Sequence, residues 1–154
     1  MGDSTSIGMA PSLQLPFQDC AYLARLHSVT SPLVAVIDDD GALCLSLVDL
    51  MRSIGYQAEP YISAETFLTS SNLFSFDFVI ADVHMPGIGG LGLVRKLREL
   101  GIMTPVILIT ALPDKHLDDE AISGGAECLL RKPFETNSLV DWVERSLSND
   151  RSTR

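Results

Sequence analysis

From Pro32 onward the chain alternates between short unbroken apolar runs and stretches whose apolar residues recur every three or four positions. Leu33 to Ile37 is aliphatic throughout and bounded by Pro32 and an acidic cluster, the pattern of a strand buried on both faces. Leu43, Leu47, Met51 and Ile54 then follow at helical intervals as far as Gly55, a natural stop. Gln57 to Ile62 predicts a second strand, and Ser63 offers an N-cap to a helix over Ala64 to Ser70. Phe76 to Ala81 predicts a third strand, followed by a Pro- and Gly-rich loop and a helix over Leu91 to Leu100 that ends at Gly101. Pro105 to Ile109 is the fourth strand, an acidic helix covers Pro113 to Ser123 before Gly124 and Gly125, and Glu127 to Leu130 is a short fifth strand. The last helix runs from about Glu135 to Leu147, with Leu139, Val143 and Leu147 along one face. Strands alternating with helices in this way predict an α/β fold with a doubly wound, five-stranded parallel sheet, because right-handed crossovers distribute the helices over both faces.

Residues 1–31 contain Ser, Gly and Pro and lack sustained periodicity except for Phe17 to Leu26, which predicts a short helix. They are expected to form a tail or docking segment, with residues 32–148 as the folded domain and 149–154 as a polar C-terminal tail. The opening Met1-Gly2-Asp3-Ser4-Thr5-Ser6 matches the bare myristoylation pattern, a match so short that chance is the simpler account.

Composition narrows the function classes. A chain of 154 residues, 46% of them hydrophobic, can bury a sizeable core, and one domain is the default. A formal charge of −9 repels a phosphate backbone, and no stretch concentrates Lys and Arg, so direct nucleic-acid binding is not expected. Cys20, Cys44 and Cys128 are odd in number and widely spaced, which suits inert thiols in a reducing cytoplasm better than a disulfide framework or a zinc site. The longest apolar run falls well short of the roughly 20 residues of a membrane helix, and no basic start precedes an apolar block at the amino terminus. A cytoplasmic protein without membrane contact is expected.

The chemistry gathers where the apolar runs end. Asp38 and Asp39 follow the first, Asp82 the third, Thr110 the fourth, and Lys132 with Pro133 the fifth. A parallel sheet brings the carboxyl ends of its strands together, so these residues would share one crevice. Three carboxylates, ionised at pH 7 with ordinary pKa values near 4, repel one another there unless a cation joins them. Mg²⁺ prefers oxygen ligands and keeps several waters, which suits carboxylates, a backbone carbonyl and a phosphoryl oxygen.

The run Val36-Ile37-Asp38-Asp39-Asp40, the segment Asp82-Val83-His84-Met85-Pro86-Gly87 with Gly90-Leu91, the pair Thr110-Ala111 and the ending Lys132-Pro133-Phe134 together resemble the receiver domain of two-component response regulators, over about residues 32 to 148. Ser63-Ala64-Glu65 and the Asp-x-His-Met-Pro-Gly segment look closest to receivers of the nitrogen-fixation transcription factor type. The resemblance implies a flavodoxin-like strand order of 2-1-3-4-5. It implies Asp39 and Asp82 as carboxylate ligands of Mg²⁺, Asp38 acting mainly through a bound water, and the main-chain carbonyl of His84 as a further ligand. Asp82 would be the phosphoacceptor, taking its phosphoryl group from a histidine kinase or phosphotransfer protein, and Lys132 would contact that group. Thr110 would be the switch, drawing the loop after strand 4 toward the phosphoryl group and changing the surface of helix 4, strand 5 and helix 5. The peptide between Lys132 and Pro133 is where the family usually has a cis bond. Such a protein accepts phosphate and sheds it by its own hydrolysis, and is otherwise not an enzyme.

One departure stands out. Family members commonly carry an aromatic three residues before the lysine, and this chain has Leu129 there, so the aromatic part of the switch is in question.

Other readings compete. Each acid alone is most simply a solvated turn or a cap. His84 suits a loop side chain shaping access to Asp82, His27 and His116 suit surface positions, and Trp142 suits packing or partner contact. Gly87-Ile88-Gly89-Gly90-Leu91-Gly92 satisfies G-x-G-x-x-G between a strand and a helix, which would make a small dinucleotide-binding enzyme. A pyrophosphate there would face Asp82, so tight-turn glycines are the better account. An aspartyl-phosphate enzyme would normally carry a second acid two residues after Asp82, where His84 stands. The residues after Pro133 only complete the last helix and its polar end, so the expected output is phosphorylation-dependent binding of another, unidentified protein. A receiver fragment of a DNA-binding transcriptional regulator is the alternative, and an acidic face along the last helix is compatible with a homodimer.

Overall fold

Period-two alternation decides which helices each strand meets. In β1 (Leu33–Ile37), Val34 and Val36 point into one apolar layer, and Ala35 and Ile37 into the other. The same split runs through β3 (Phe78–Asp82), where Phe78 and Ile80 oppose Val79 and Ala81, and through β4 (Val106–Thr110), where Ile107 and Ile109 oppose Val106 and Leu108. This computed structural model describes residues 31–153, and the helix predicted over Phe17 to Leu26 lies outside them. The remaining elements are α1 (Gly41–Ser53), β2 (Gln57–Tyr61), α2 (Ala64–Leu68), a 3₁₀ turn (Leu73–Ser75), α3 (Gly89–Glu99), α4 (His116–Ser123), β5 (Cys128–Arg131) and α5 (Thr136–Thr153).

All strand pairs are parallel, in the order β2-β1-β3-β4-β5, as the resemblance implies. One face is covered by α1 and α5, which contribute Leu47, Val48, Met51, Leu139 and Val143 to the buried layer. The other is covered by α2, α3 and α4, through residues such as Phe67, Leu93, Leu97 and Ala121. The central strands β3 and β4 are buried along their whole length, whereas β2 is an edge strand and carries Pro60, whose missing N–H an edge tolerates. Among the described residues no helix is long and apolar enough to cross a membrane.

Several boundaries differ from those the pattern predicts. β3, β4 and β5 each run one residue further, into Asp82, Thr110 and Arg131, because pairing in the sheet does not require an apolar side chain. Asp77, inside the stretch predicted as strand, instead accepts the Leu33 N–H at 2.8 Å and ties down the start of β1. Helix α4 begins only at His116, whose N–H donates to Asp114 Oδ1 at 2.9 Å. Ile54, placed in the core-facing row by spacing, is the exposed C-cap residue of α1. Residues 149–153, expected to be a polar tail, continue α5. Their polarity removes the amphipathic signal, but no Gly or Pro stops the helix.

Candidate functional site

The loops leaving β1, β3, β4 and β5 define a crevice at the carboxyl end of the sheet, and three consecutive aspartates enter it with different tasks. Asp38 is only 2% exposed, and its Oδ1 accepts the Asp40 N–H at 2.9 Å. Asp39 is exposed. Asp40 turns away to cap α1, accepting from the N–H groups of Ala42 at 3.1 Å and Leu43 at 3.2 Å. Asp82 ends β3, is 9% exposed, and accepts the backbone N–H of His84 at 3.1 Å. The nearest carboxylate oxygens of Asp38, Asp39 and Asp82 lie within 4.8 Å of one another.

Lys132 reaches this group from the end of β5, with Nζ 3.1 Å from Asp82 Oδ2 and 3.8 Å from Asp38 Oδ2. The peptide between Lys132 and Pro133 is cis. Burial pushes the Asp38 carboxyl up to about 6, with the Asp82 and Asp39 charges adding to the rise and the Asp40 N–H and Lys132 opposing it. Among the described residues, Lys132 pairs with two of the three clustered carboxylates, Asp82 and Asp38. Hard oxygen donors with surplus negative charge suit a hard divalent cation, and Asp38, Asp39 and Asp82 are the residues able to hold it.

Thr110 is fully buried on β4, one residue beyond Ile109, the partner of Asp82 in register. Its Oγ1 accepts the Leu112 N–H at 3.1 Å, and its carbonyl accepts the Lys132 N–H at 2.7 Å. The His84 side chain is exposed while its backbone adjoins Asp82. Every site residue singled out from sequence thus comes to this one end of the sheet. His116 is exposed on α4, and Trp142 is half-buried against the α1/α5 layer with the Arg145 guanidinium 6.0 Å from its ring centre. His27 lies outside the described residues.

The glycine-rich loop is shaped by its own protein. A Cβ on Gly89 would lie 2.7 Å from the Val83 carbonyl, and one on Gly90 would collide with the Asp82 carbonyl and lie 2.9 Å from Leu108 Cδ2. These glycines let α3 close on β3, the tight-turn role expected of them. Sequence reasoning missed the tether of this loop, in which Glu65 Oε2 of α2 accepts the Ile88 N–H at 3.2 Å. It also missed Arg131, which binds Asp118 through two hydrogen bonds of 3.0 and 2.9 Å. The only sequence signal for Glu65 was its place in the Ser63-Ala64-Glu65 segment; Arg131 had none beyond its position before Lys132.

The chain is thus a doubly wound α/β protein with clustered acids, a hydroxyl and a lysine at the carboxyl end of its sheet. Residues 34–144 match the model of the response regulator receiver domain, and the chain belongs to that family. Among similar proteins, the response regulator protein TodT of Pseudomonas putida is 34% identical over 128 residues, covering 83% of this chain and 56% of TodT. The transcriptional regulatory protein FixJ of Azorhizobium caulinodans is 38% identical over 114 residues, covering 74% of this chain and 54% of FixJ. The chain thus spans about half the length of the curated relatives it matches. Among solved structures, FixJ-N superposes with a TM-score of 0.70 at 29% identity, over 77% of this chain and 94% of that one. The receiver domain of a Francisella response regulator gives a TM-score of 0.73 at 27% identity, over 78% and 99%.

Proposed function

We propose that this receiver takes a phosphoryl group on Asp82 from a histidine kinase or phosphotransfer protein and signals through phosphorylation-dependent protein binding. The observation that carries the reading is the buried Asp82 carboxylate, held by Lys132 at 3.1 Å and within 4.8 Å of the carboxylate oxygens of Asp38 and Asp39. Asp39 and Asp82, with the His84 carbonyl, would hold Mg²⁺ directly, and Asp38 would act through a bound water. When bound, Mg²⁺ would offset charge on the transferring phosphoryl oxygens. An Asp82 oxygen forms the new P–O bond as the P–N bond of the phosphohistidine breaks, its electron pair staying on the imidazole nitrogen. Lys132 shields the charge of Asp82 before transfer and contacts the phosphoryl group after it, as a compact ammonium allows. Thr110 would donate its hydroxyl proton to a phosphoryl oxygen and carry the loop after β4 with it. The chain would work in the cytoplasm, where its donor presents the phosphohistidine, and its acyl phosphate would be lost by hydrolysis.

Intact-mass spectrometry after acetyl phosphate and Mg²⁺ is expected to show one added phosphate on the parent and none on Asp82→Asn. Equal labelling of the two would overturn the assignment.

A second reading follows from one observation. FixJ is a transcriptional regulatory protein, and the matched stretch is 54% of its length. On that reading the chain is the receiver portion of a DNA-binding regulator, and its downstream partner is an effector domain.

A further inference from the structure

Arg131 ends β5, immediately before Lys132, and pairs in register with Thr110 of β4. Its guanidinium holds two segments at once. Nη1 and Nη2 donate to the two oxygens of Asp118, in the first turn of α4, at 3.0 and 2.9 Å. Nη2 also donates to the carbonyl of Asp114, in the loop between β4 and α4, at 2.7 Å. A planar fork is suited to such bidentate contact, and the pairing holds the Asp118 carboxyl below the usual carboxylate range. The same loop is hung at its other end on Thr110, whose hydroxyl oxygen accepts the Leu112 N–H.

We infer that Arg131 is a positioning residue that latches the β4–α4 loop and α4 in the resting arrangement, and that phosphorylation acts on the output surface by releasing it. The inference rests on the phosphoacceptor reading. The Arg131 backbone is fixed in a strand hydrogen-bonded to β4, so its guanidinium can follow the loop only as far as its side chain reaches. When Thr110 turns toward a phosphoryl group, Leu112 moves with it, and Asp114, two residues on, loses its place against Arg131. The Asp118 contact then has to rearrange or give way, which frees the amino end of α4. Leu129, two residues earlier on the same side of β5, is half-buried against the layer of α3 and α4 and has no polar group with which to register the change. The polar latch beside it supplies what an aromatic side chain would otherwise report.

Amide spectra of the full chain with Mg²⁺, before and after acetyl phosphate, together with intact-mass labelling rates, test the latch in Arg131→Gln, Arg131→Lys and Asp118→Asn. In Arg131→Gln and Asp118→Asn the resting α4 amides are expected to lie part-way along the line joining the parent's resting and phosphorylated positions. Labelling should be about threefold faster, the size that losing one partly exposed ion pair supports. Arg131→Lys, which keeps the charge but not the fork, should fall between them and the parent. Resting α4 amides left at the parent positions in variants that still take up phosphate would overturn the latch and leave the phosphoacceptor reading standing. A parent that takes up no phosphate would overturn both. If Arg131→Gln does not fold, Asp118→Asn, altered at a half-exposed carboxylate, decides in the same way.

Discussion

Asp38, Asp39 and Asp40 share one chemistry and are separated by where their side chains end up. Asp40 is spent on the helix cap, Asp39 stays in water, and Asp38 is buried beside Asp82, which makes it the costly member of the three. Its native carboxyl is pushed up to about 6 by burial, whereas an unfolded aspartate titrates near 4. Between those values the native state binds more protons than the unfolded chain, so stability falls as pH rises through the window. Once ionised without a cation, Asp38 costs on the order of 3 kcal/mol. Asp38→Asn keeps the oxygen that accepts from Asp40 and removes the charge. In chelator-treated protein it is expected to be more stable than the parent at pH 7.5 by on the order of 1 kcal/mol, after allowing for the lost Lys132 contact, with the advantage gone near pH 4.5. Urea titrations at the two pH values check this, and a variant weaker than the parent at pH 7.5 would contradict it.

At the scale of elements, the site depends on how closely α3 lies against β3. Gly90 has no room for a Cβ because the Asp82 carbonyl and Leu108 Cδ2 already occupy its place, and neither neighbour is a flexible surface side chain. Gly90→Ala should therefore push helix and strand apart, costing about 2 to 3 kcal/mol in urea unfolding and slowing phosphate uptake at Asp82. Gly41, whose Cβ would meet nothing within 4 Å, is the control: Gly41→Ala should stay within about 0.5 kcal/mol of the parent. Equal losses in the two variants would mean that the close approach at Gly90 is not what matters. These packing constraints also explain what the chain made legible. Unbroken aliphatic runs such as Val106 to Ile109 announce strands buried on both faces, and the site residues could be placed because acids follow the first and third runs, Thr110 the fourth and Lys132 the fifth. Pattern alone could not supply the strand order, since an apolar run marks a buried strand without naming its neighbours; that came from the resemblance. Arg131 and Glu65 stayed hidden because their partners, Asp118 and Ile88, meet them only after folding. The end of α5 was missed because residues 149–153 carry no apolar rhythm to mark them as helix.

For the molecule as a whole, a formal charge of −9 means that any divalent cation will associate loosely with the surface, so a metal effect on stability has to be separated from general screening. Specific binding to the native crevice adds RT ln(1 + [Mg²⁺]/Kd), about 2.7 kcal/mol at a hundredfold excess over Kd, or about 5 to 10 °C in Tm for a chain of this size. Screening adds little beyond what NaCl of the same ionic strength would give. Asp39→Asn separates the two terms cleanly: the side chain is exposed, so its loss leaves the core intact, and the net charge changes too little to alter the general ion atmosphere. Thermal unfolding is expected to show a Mg²⁺ increment in the parent that matched NaCl does not reproduce and that Asp39→Asn loses. The chelator-treated variant should melt at or above the parent, because one of three mutually repelling carboxylates is gone. An increment of equal size in parent and variant would mean that the cation binds elsewhere on an acidic surface, and the crevice would lose its standing as a metal centre.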